Sequence, residues 1–142
     1  MKLLIDTNVI LDMVFKRGGC DIAMEMFRKV KEIGASAYIT ASSVTDIFYI
    51  IRKETHDTSQ TYVIMENIFR LVAILSVTEK DIQDAFVEKW RDFEDCVQYM
   101  TGKNNGMDYI ITANRKDYED AMLPVMTPTA WIGTVGGIQK NK

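Results

Sequence analysis

Lys2-Leu3-Leu4-Ile5-Asp6-Thr7-Asn8 begins almost at the N-terminal end of a 142-residue chain and joins a short apolar run to a group of polar side chains. A brief apolar run that stops at an aspartate reads as a buried strand. Asp6 then stands at the carboxyl end of that first strand, which is expected to be central in its sheet. A carboxylate beside a buried strand is costly unless it is hydrogen-bonded or bound to a cation. Asp6-Thr7-Asn8 is also good turn and cap chemistry, so a purely structural role is open at this position.

Working outward, short apolar runs alternate with helical stripes. Ile22, Ala23, Met26, Phe27, Val30 and Ile33 make one helix face over 21–33, which Gly34 ends. A strand is expected over 37–39. A helix capped by Ser42 or Ser43 follows to about Glu54, then another over 59–71 and a strand over 72–77. Thr78 with Asp81 has the form of a capping box opening a helix to about Trp90. A helix over 93–103, a strand over 109–111 closed by Thr112, a short strand at Val125-Met126 and a Thr127-Pro128 helix start complete the chain. Strands separated by helices imply a mostly parallel sheet covered on both faces. In such sheets ligands bind in the crevice at the carboxyl ends of the strands.

The length suits one domain, expected over 1–136, with 137–142 as a flexible tail. Apolar residues make up 47% and charged residues 26%, which excludes disorder as the main state. No apolar run approaches the roughly 20 residues of a membrane helix, and no secretory leader stands at Met1-Lys2, so the expected location is cytoplasmic with no membrane partner. Cys20 and Cys96 lack zinc-ligand spacing and read as reduced thiols. His56, the only histidine, lies in the polar stretch Lys53-Glu54-Thr55-His56-Asp57 and reads as a surface residue. A net charge of −3 argues against non-specific binding to a nucleic-acid backbone, yet an acidic active site lowers the net charge by itself. The nine methionines read as core material.

Acidic residues recur where that crevice should lie. Asp46 falls one turn into its helix, between Val44 and Ile47-Phe48. Asp92-Phe93-Glu94-Asp95 opens the 93–103 helix, and Asp95, followed by Cys96-Val97 with Tyr99 one turn on, is expected on an inward face. Asn114 and Asp117 follow the strand at 109–111. Each has a plain alternative as a cap, a first-turn acid favoured by the helix dipole or a loop residue. Gathered together, carboxylates repel and partly protonate. A divalent cation with oxygen ligands removes that conflict, activates water and stabilises charge on a phosphodiester, with no His or Cys nucleophile.

Four stretches in order carry a family resemblance: Leu4-Ile5-Asp6-Thr7-Asn8-Val9-Ile10-Leu11-Asp12, Ile39-Thr40-Ala41-Ser42-Ser43-Val44-Thr45-Asp46-Ile47-Phe48-Tyr49, Asp92-Phe93-Glu94-Asp95-Cys96-Val97-Gln98 and Asp108-Tyr109-Ile110-Ile111-Thr112-Ala113-Asn114-Arg115-Lys116-Asp117-Tyr118. Together they resemble the PIN domain, whose bacterial members include VapC-type toxins. The resemblance implies a three-layer α/β/α sandwich with a central mostly parallel sheet and a Mg²⁺- or Mn²⁺-dependent endoribonuclease. It implies a catalytic quartet of Asp6, Asp46, Asp95 and Asp117, with Asp6, Asp95 and Asp117 on the metal. Thr7, Asn8, Ser43, Thr112 and Asn114 would support them, and Arg115 and Lys116 would contact RNA. An antitoxin protein and a homodimer are further implied partners. Asp46 stands where the family often has Glu, one methylene longer, and Ala113 where it often has Arg.

Two other classes compete. A catalytically weak or inactive module of the same fold would bind RNA or a protein without cutting. A phosphatase of the haloacid-dehalogenase type also places Asp after its first strand, but it needs a second acid two residues on, where this chain has Asn8.

Overall fold

The computed structural model describes residues 1–137. The elements run β1 (Lys2–Ile5), α1 (Thr7–Val14), α2 (Cys20–Ile33), β2 (Ser36–Thr40), α3 (Ala41–Thr55), α4 (Thr58–Leu71), β3 (Ala73–Leu75), α5 (Glu79–Glu88), α6 (Phe93–Asn104), β4 (Tyr109–Ile111), a 3₁₀ turn (Arg115–Tyr118), β5 (Val125–Met126) and α7 (Pro128–Val135). The five strands lie in the order β3-β2-β1-β4-β5, and every pairing is parallel. β1 is therefore central, as its apolar run implies.

The pleat sorts β1 between two layers. Leu3 and Ile5 join a core with Val9, Met26, Ile47, Met65 and Trp131, from helices α1, α2, α3, α4 and α7. Leu4 points the other way, among Ala85, Cys96, Tyr99, Met100 and Tyr118 from α5, α6 and the 3₁₀ turn. The result is an α/β/α sandwich. Gly102 lets α6 lie close to the sheet: a Cβ there would come within 2.9 Å of Leu4 Cδ2.

Most boundaries follow the sequence. Gly34 ends α2 in the left-handed region, at φ 73°. Thr78 and Asp81 form the reciprocal capping box, and Thr127 caps α7 with Pro128 in its first turn. Three points differ. Helix α1 is not legible in the pattern, because its buried Val9, Ile10 and Leu11 are consecutive rather than spaced, and because cap chemistry at Asp6 looks like turn chemistry. The cap of α3 is Thr40, whose hydroxyl accepts the Ser43 N–H at 3.2 Å, not Ser42 or Ser43. β3 covers 73–75 rather than 72–77. Apart from Gly137, the tail expected over 137–142 lies outside the described residues. None of the helices among them is long and apolar enough to cross a membrane.

Candidate active site

Strand order fixes the location. From β1 the chain builds outward through β2 and β3, then returns to place β4 on the other side of β1. The sheet switches direction between β1 and β4, and helices leaving their carboxyl ends part there to leave a crevice. Asp6 follows β1 and Thr112 follows β4, so the two side chains meet across that junction.

Asp6 is 5% exposed and held from three sides. It caps α1 by accepting the Thr7 N–H at 2.7 Å on Oδ1, which also accepts from Gln98 Nε2 at 3.1 Å. Thr112 Oγ1 donates to Oδ2 at 2.8 Å. The Thr112 hydroxyl accepts in turn from the Asn114 N–H at 3.1 Å, and Asn8 Oδ1 accepts the Ala113 N–H at 3.1 Å. These contacts tie the start of α1 to the loop after β4. Burial raises the Asp6 carboxyl above its ordinary value, and the charge of Asp117 adds to this. The hydrogen bonds from Thr112, Gln98 and Thr7 pull the other way without prevailing.

Asp95 sits in the first turn of α6, where the Asp92 cap accepts its N–H at 3.0 Å. Its carboxyl is pushed up to about 7, by burial first and then by the negative charges of Asp6, Asp92 and Asp117. Asp46, on α3, shares a cleft of about 700 Å³ with Asp6, Asp95 and Glu94. The Asp46 charge is the largest cause raising the Glu94 carboxyl, ahead of burial. Asp117 is exposed on the 3₁₀ turn and accepts from Asn114 Nδ2 at 3.1 Å. With Lys116 and Arg91 it lines a second hollow of about 670 Å³ that shares Phe93, Glu94 and Asp95 with the first. The four expected acids thus surround the first turn of α6. Among the described residues, no group of three or more His, Cys, Asp or Glu side chains is arranged to hold a metal ion.

The supporting residues divide by location. Thr7, Asn8, Thr112 and Asn114 belong to the Asp6 and Asp117 networks. Ser43 is buried, and its hydroxyl pairs with that of Thr40 at 2.8 Å. Lys116 borders both the acidic hollow and a neighbouring one with Tyr118 and Leu123, and Arg115 lines only the neighbouring one. His56 is exposed at the end of α3, away from both acidic hollows. Three residues escaped the sequence reading. Glu94 was visible only as a first-turn acid. The Tyr118 hydroxyl is buried without a partner among the described residues, and burial first, then the Asp6 and Asp95 charges, push it upward. Gln98 is a buried polar residue in the otherwise apolar run Cys96-Val97-Gln98-Tyr99-Met100, and that interruption was its signal.

A parallel α/β sheet with carboxylates gathered over its switch point defines a class of protein with an acidic crevice. The PIN domain pattern matches residues 2–116, and the chain belongs to that family. No curated protein matches the sequence. Among solved structures, the chain is similar to VapBC2 from Rickettsia felis bound to a DNA fragment from its promoter, at a TM-score of 0.72 and 12% identity over 89% of this chain and 97% of that one. A toxin–antitoxin complex from Klebsiella pneumoniae gives 0.65 and 21% over 89% and 97%. VapC20 of Mycobacterium tuberculosis, a sarcin-ricin loop cleaving toxin, gives 0.65 and 9% over 83% and 94%. At these identities the likeness is one of fold.

Proposed function

We propose that this protein is a divalent-metal-dependent endoribonuclease, acting in the cytoplasm as the toxin of a toxin–antitoxin pair. The observation that carries the reading is the state of Asp6 and Asp95. Both are raised by burial and like charge, in a cleft that also receives Asp46, with Asp117 lining the adjoining hollow that shares Asp95. Carboxylates held in this way favour a hard cation with oxygen ligands.

The donor set fits such an ion. Mg²⁺ keeps several waters and usually takes only one or two carboxylates besides substrate phosphate, so the absence of a ready three-acid group among the described residues is compatible with it. Of Asp6, Asp95 and Asp117, one or two would hold Mg²⁺ or Mn²⁺ directly, and the remaining acid, like Asp46, would reach it through water. When bound, the cation would act as a Lewis acid towards phosphoryl oxygens and lower the cost of forming hydroxide. The chain's own groups do the rest. Thr112 and Gln98 fix the Asp6 carboxylate in one orientation. Lys116 and Arg91 place positive charge beside the acidic hollow, suited to an RNA phosphate. Tyr49, 71% exposed, and Phe93 offer aromatic faces at the cleft for unpaired bases. The toxin role, an antitoxin partner and a homodimer rest on the family and on the complexes that share the fold.

The test is cleavage of RNA by the purified protein with Mn²⁺ or Mg²⁺. Activity is expected for wild type, with loss on chelation and in Asp6→Asn and Asp95→Asn. Equal cleavage by wild type and both variants overturns the reading. A second reading, a non-catalytic RNA- or protein-binding module, draws on the shorter Asp46 and the lack of a preformed three-acid group among the described residues. No heat of binding on calorimetric titration to millimolar Mn²⁺ would favour it.

A further inference from the structure

Phe93 stands on the wall between the two hollows. The first turn of α6 supplies that wall, made of Phe93, Glu94 and Asp95, which line both. Two of the three are acids, and the third is an aromatic ring, 42% exposed. Phe86, 67% exposed, meets it edge to face, with ring centroids 5.5 Å apart and planes at 76°. Neither ring belongs to either core cluster, so interior packing does not account for them. The pair is apolar surface beside a site, of the kind a ligand covers.

The hollows differ in chemistry. Tyr49, Ile50 and Ile82 give the first an apolar side next to its acids. The second is lined by charged residues apart from Phe93 and Trp90, and Trp90 already stacks on Tyr99 at 4.9 Å. Arg91 and Lys116 are its cations. A nucleotide has the same two halves, a base with apolar faces and an anionic phosphate. An RNA strand crossing the wall sets a base against the apolar side of the first hollow and the next phosphate beside the cations of the second. Asp95 then lies under the junction, and the Phe93 ring lies between consecutive bases.

We propose that Phe93 is a wedge that parts the two nucleotides on either side of the cut, so that only an unpaired strand is a substrate. The inference rests on the ribonuclease reading and names the form of RNA that reading takes. Stacked bases stand about 3.4 Å apart along a strand, so a ring enters between them only when they unstack. An unpaired strand gives up one stack and regains it on the ring. A duplex gives up base pairs as well.

The experiment first maps the cut that wild type makes with Mn²⁺ in a defined unpaired RNA. Wild type, Phe93→Leu, which keeps apolar bulk without a ring, and Phe93→Tyr, which keeps the ring, are then compared on three forms of that RNA. One is intact, one lacks a base beside the cut (each side in turn), and one is annealed to its complement. On intact RNA the kcat/KM of Phe93→Leu should fall about 10-fold, the scale of one base–aromatic contact, while Phe93→Tyr stays within about threefold. With a base removed there is no stack to part, and Phe93→Leu should come within about threefold of wild type. Annealed RNA should be cut about 100-fold more slowly by wild type. Equal cleavage of intact RNA by wild type and Phe93→Leu overturns this inference alone. So does a Phe93→Leu deficit that is undiminished on the abasic RNAs, a Phe93→Tyr as poor as Phe93→Leu, or a duplex cut at the single-strand rate. Light scattering covers another occupant: a dimer that Phe93→Leu splits overturns the wedge and assigns the ring to a contact between copies. Should Phe93→Leu fail to fold, a photoreactive azidophenylalanine in place of Phe93 decides. Crosslinks to the two nucleotides beside the cut support the wedge, and crosslinks elsewhere remove it. Wild type that cuts no RNA with Mn²⁺ overturns the function together with this inference.

Discussion

Thr112 Oγ1 lies 2.8 Å from Asp6 Oδ2, a hydrogen bond between residues 106 apart in sequence that joins the carboxyl ends of the two strands flanking the switch point. It is the contact that makes a site of two strand ends. It aims a carboxylate whose pKa burial raises, together with the bonds from Thr7 and Gln98, and it is itself aimed by the Asn114 N–H.

Thr112→Val keeps the shape of the side chain and removes the hydroxyl. Asp6 then loses a donor and the Asn114 N–H loses its acceptor. Stability should fall by about 1–3 kcal/mol, the cost of unmade buried hydrogen bonds. The Asp6 carboxyl should rise further, because the Thr112 bond is the largest influence now lowering it. Metal affinity or activity should drop about 10- to 100-fold, as for other residues that orient a ligand. Urea unfolding and Mn²⁺ calorimetry check the two effects separately, and a variant with unchanged Mn²⁺ affinity and activity would show that Asp6 needs no such support.

The second prediction concerns stability against pH. The Asp95 carboxyl stands near 7 in the folded chain against an ordinary 3.8. The folded state therefore binds more protons than the unfolded state between these values, and the metal-free protein should lose stability as pH rises from about 4 to about 7. Asp95→Asn removes the penalty. At pH 8 without metal the variant should melt higher than wild type, by about 3 °C once solvent screening of a half-exposed group is allowed for. Below pH 4 the difference should vanish, and saturating Mn²⁺ should reverse it by stabilising wild type alone. Thermal melts across pH, with and without Mn²⁺, test this; a gap that is the same at pH 4 and pH 8 contradicts it.

How much of this was legible depends on whether the signal was local. β1, β4 and the caps at Thr78, Asp92 and Thr127 are written in a few adjacent residues, and they came through. Asp6 could be placed at a strand end because the run before it stops abruptly. Helix α1 hid because a helix of eight residues with three consecutive buried positions has no readable period. Gln98 hid for another reason. Its partner lies 92 residues away, and only the meeting of α6 with β1 gives a polar residue in an apolar run something to hold. The gathering of Asp46, Asp95 and Asp117 was expected from their recurrence beside strand ends and helix starts, whereas their division between two adjoining hollows was not.

Gly102 shows how the site depends on packing beneath it. A Cβ at this position would meet Leu4 Cδ2 at 2.9 Å, on the strand that delivers Asp6. Gly102 lies one turn beyond Gln98 on the same helix, so either the fully buried Leu4 side chain repacks or α6 shifts away from the strand. In an unstrained helix, Ala would be favoured over Gly by about 1 kcal/mol. Here Gly102→Ala should instead destabilise, by about 1–3 kcal/mol for overpacking, and lower activity through the displaced α6. Denaturant midpoints decide the sign: a stabilised variant would mean that Leu4 repacks freely.

Lys116 and Arg115 are adjacent in sequence and share one hollow, yet only Lys116 also borders the acidic one, and that difference yields the last prediction. Lys116 lines the hollow of Asp95 and Asp117 in addition to the one it shares with Arg115, Tyr118 and Leu123, whereas Arg115 lines only the latter of the two. A phosphate presented to the carboxylates comes within reach of Lys116. Lys116→Ala should therefore raise KM for RNA several-fold and flatten the salt dependence of binding by roughly one phosphate contact, about 0.7 in the log–log slope for a single strand. Arg115→Ala should change both by less. Fluorescence binding titrations at several salt concentrations, with Asp6→Asn as a non-cleaving background, measure the slopes directly. If Arg115→Ala proves the more damaging, RNA runs along the far side of the 3₁₀ turn, and the path drawn through the acidic hollow is wrong.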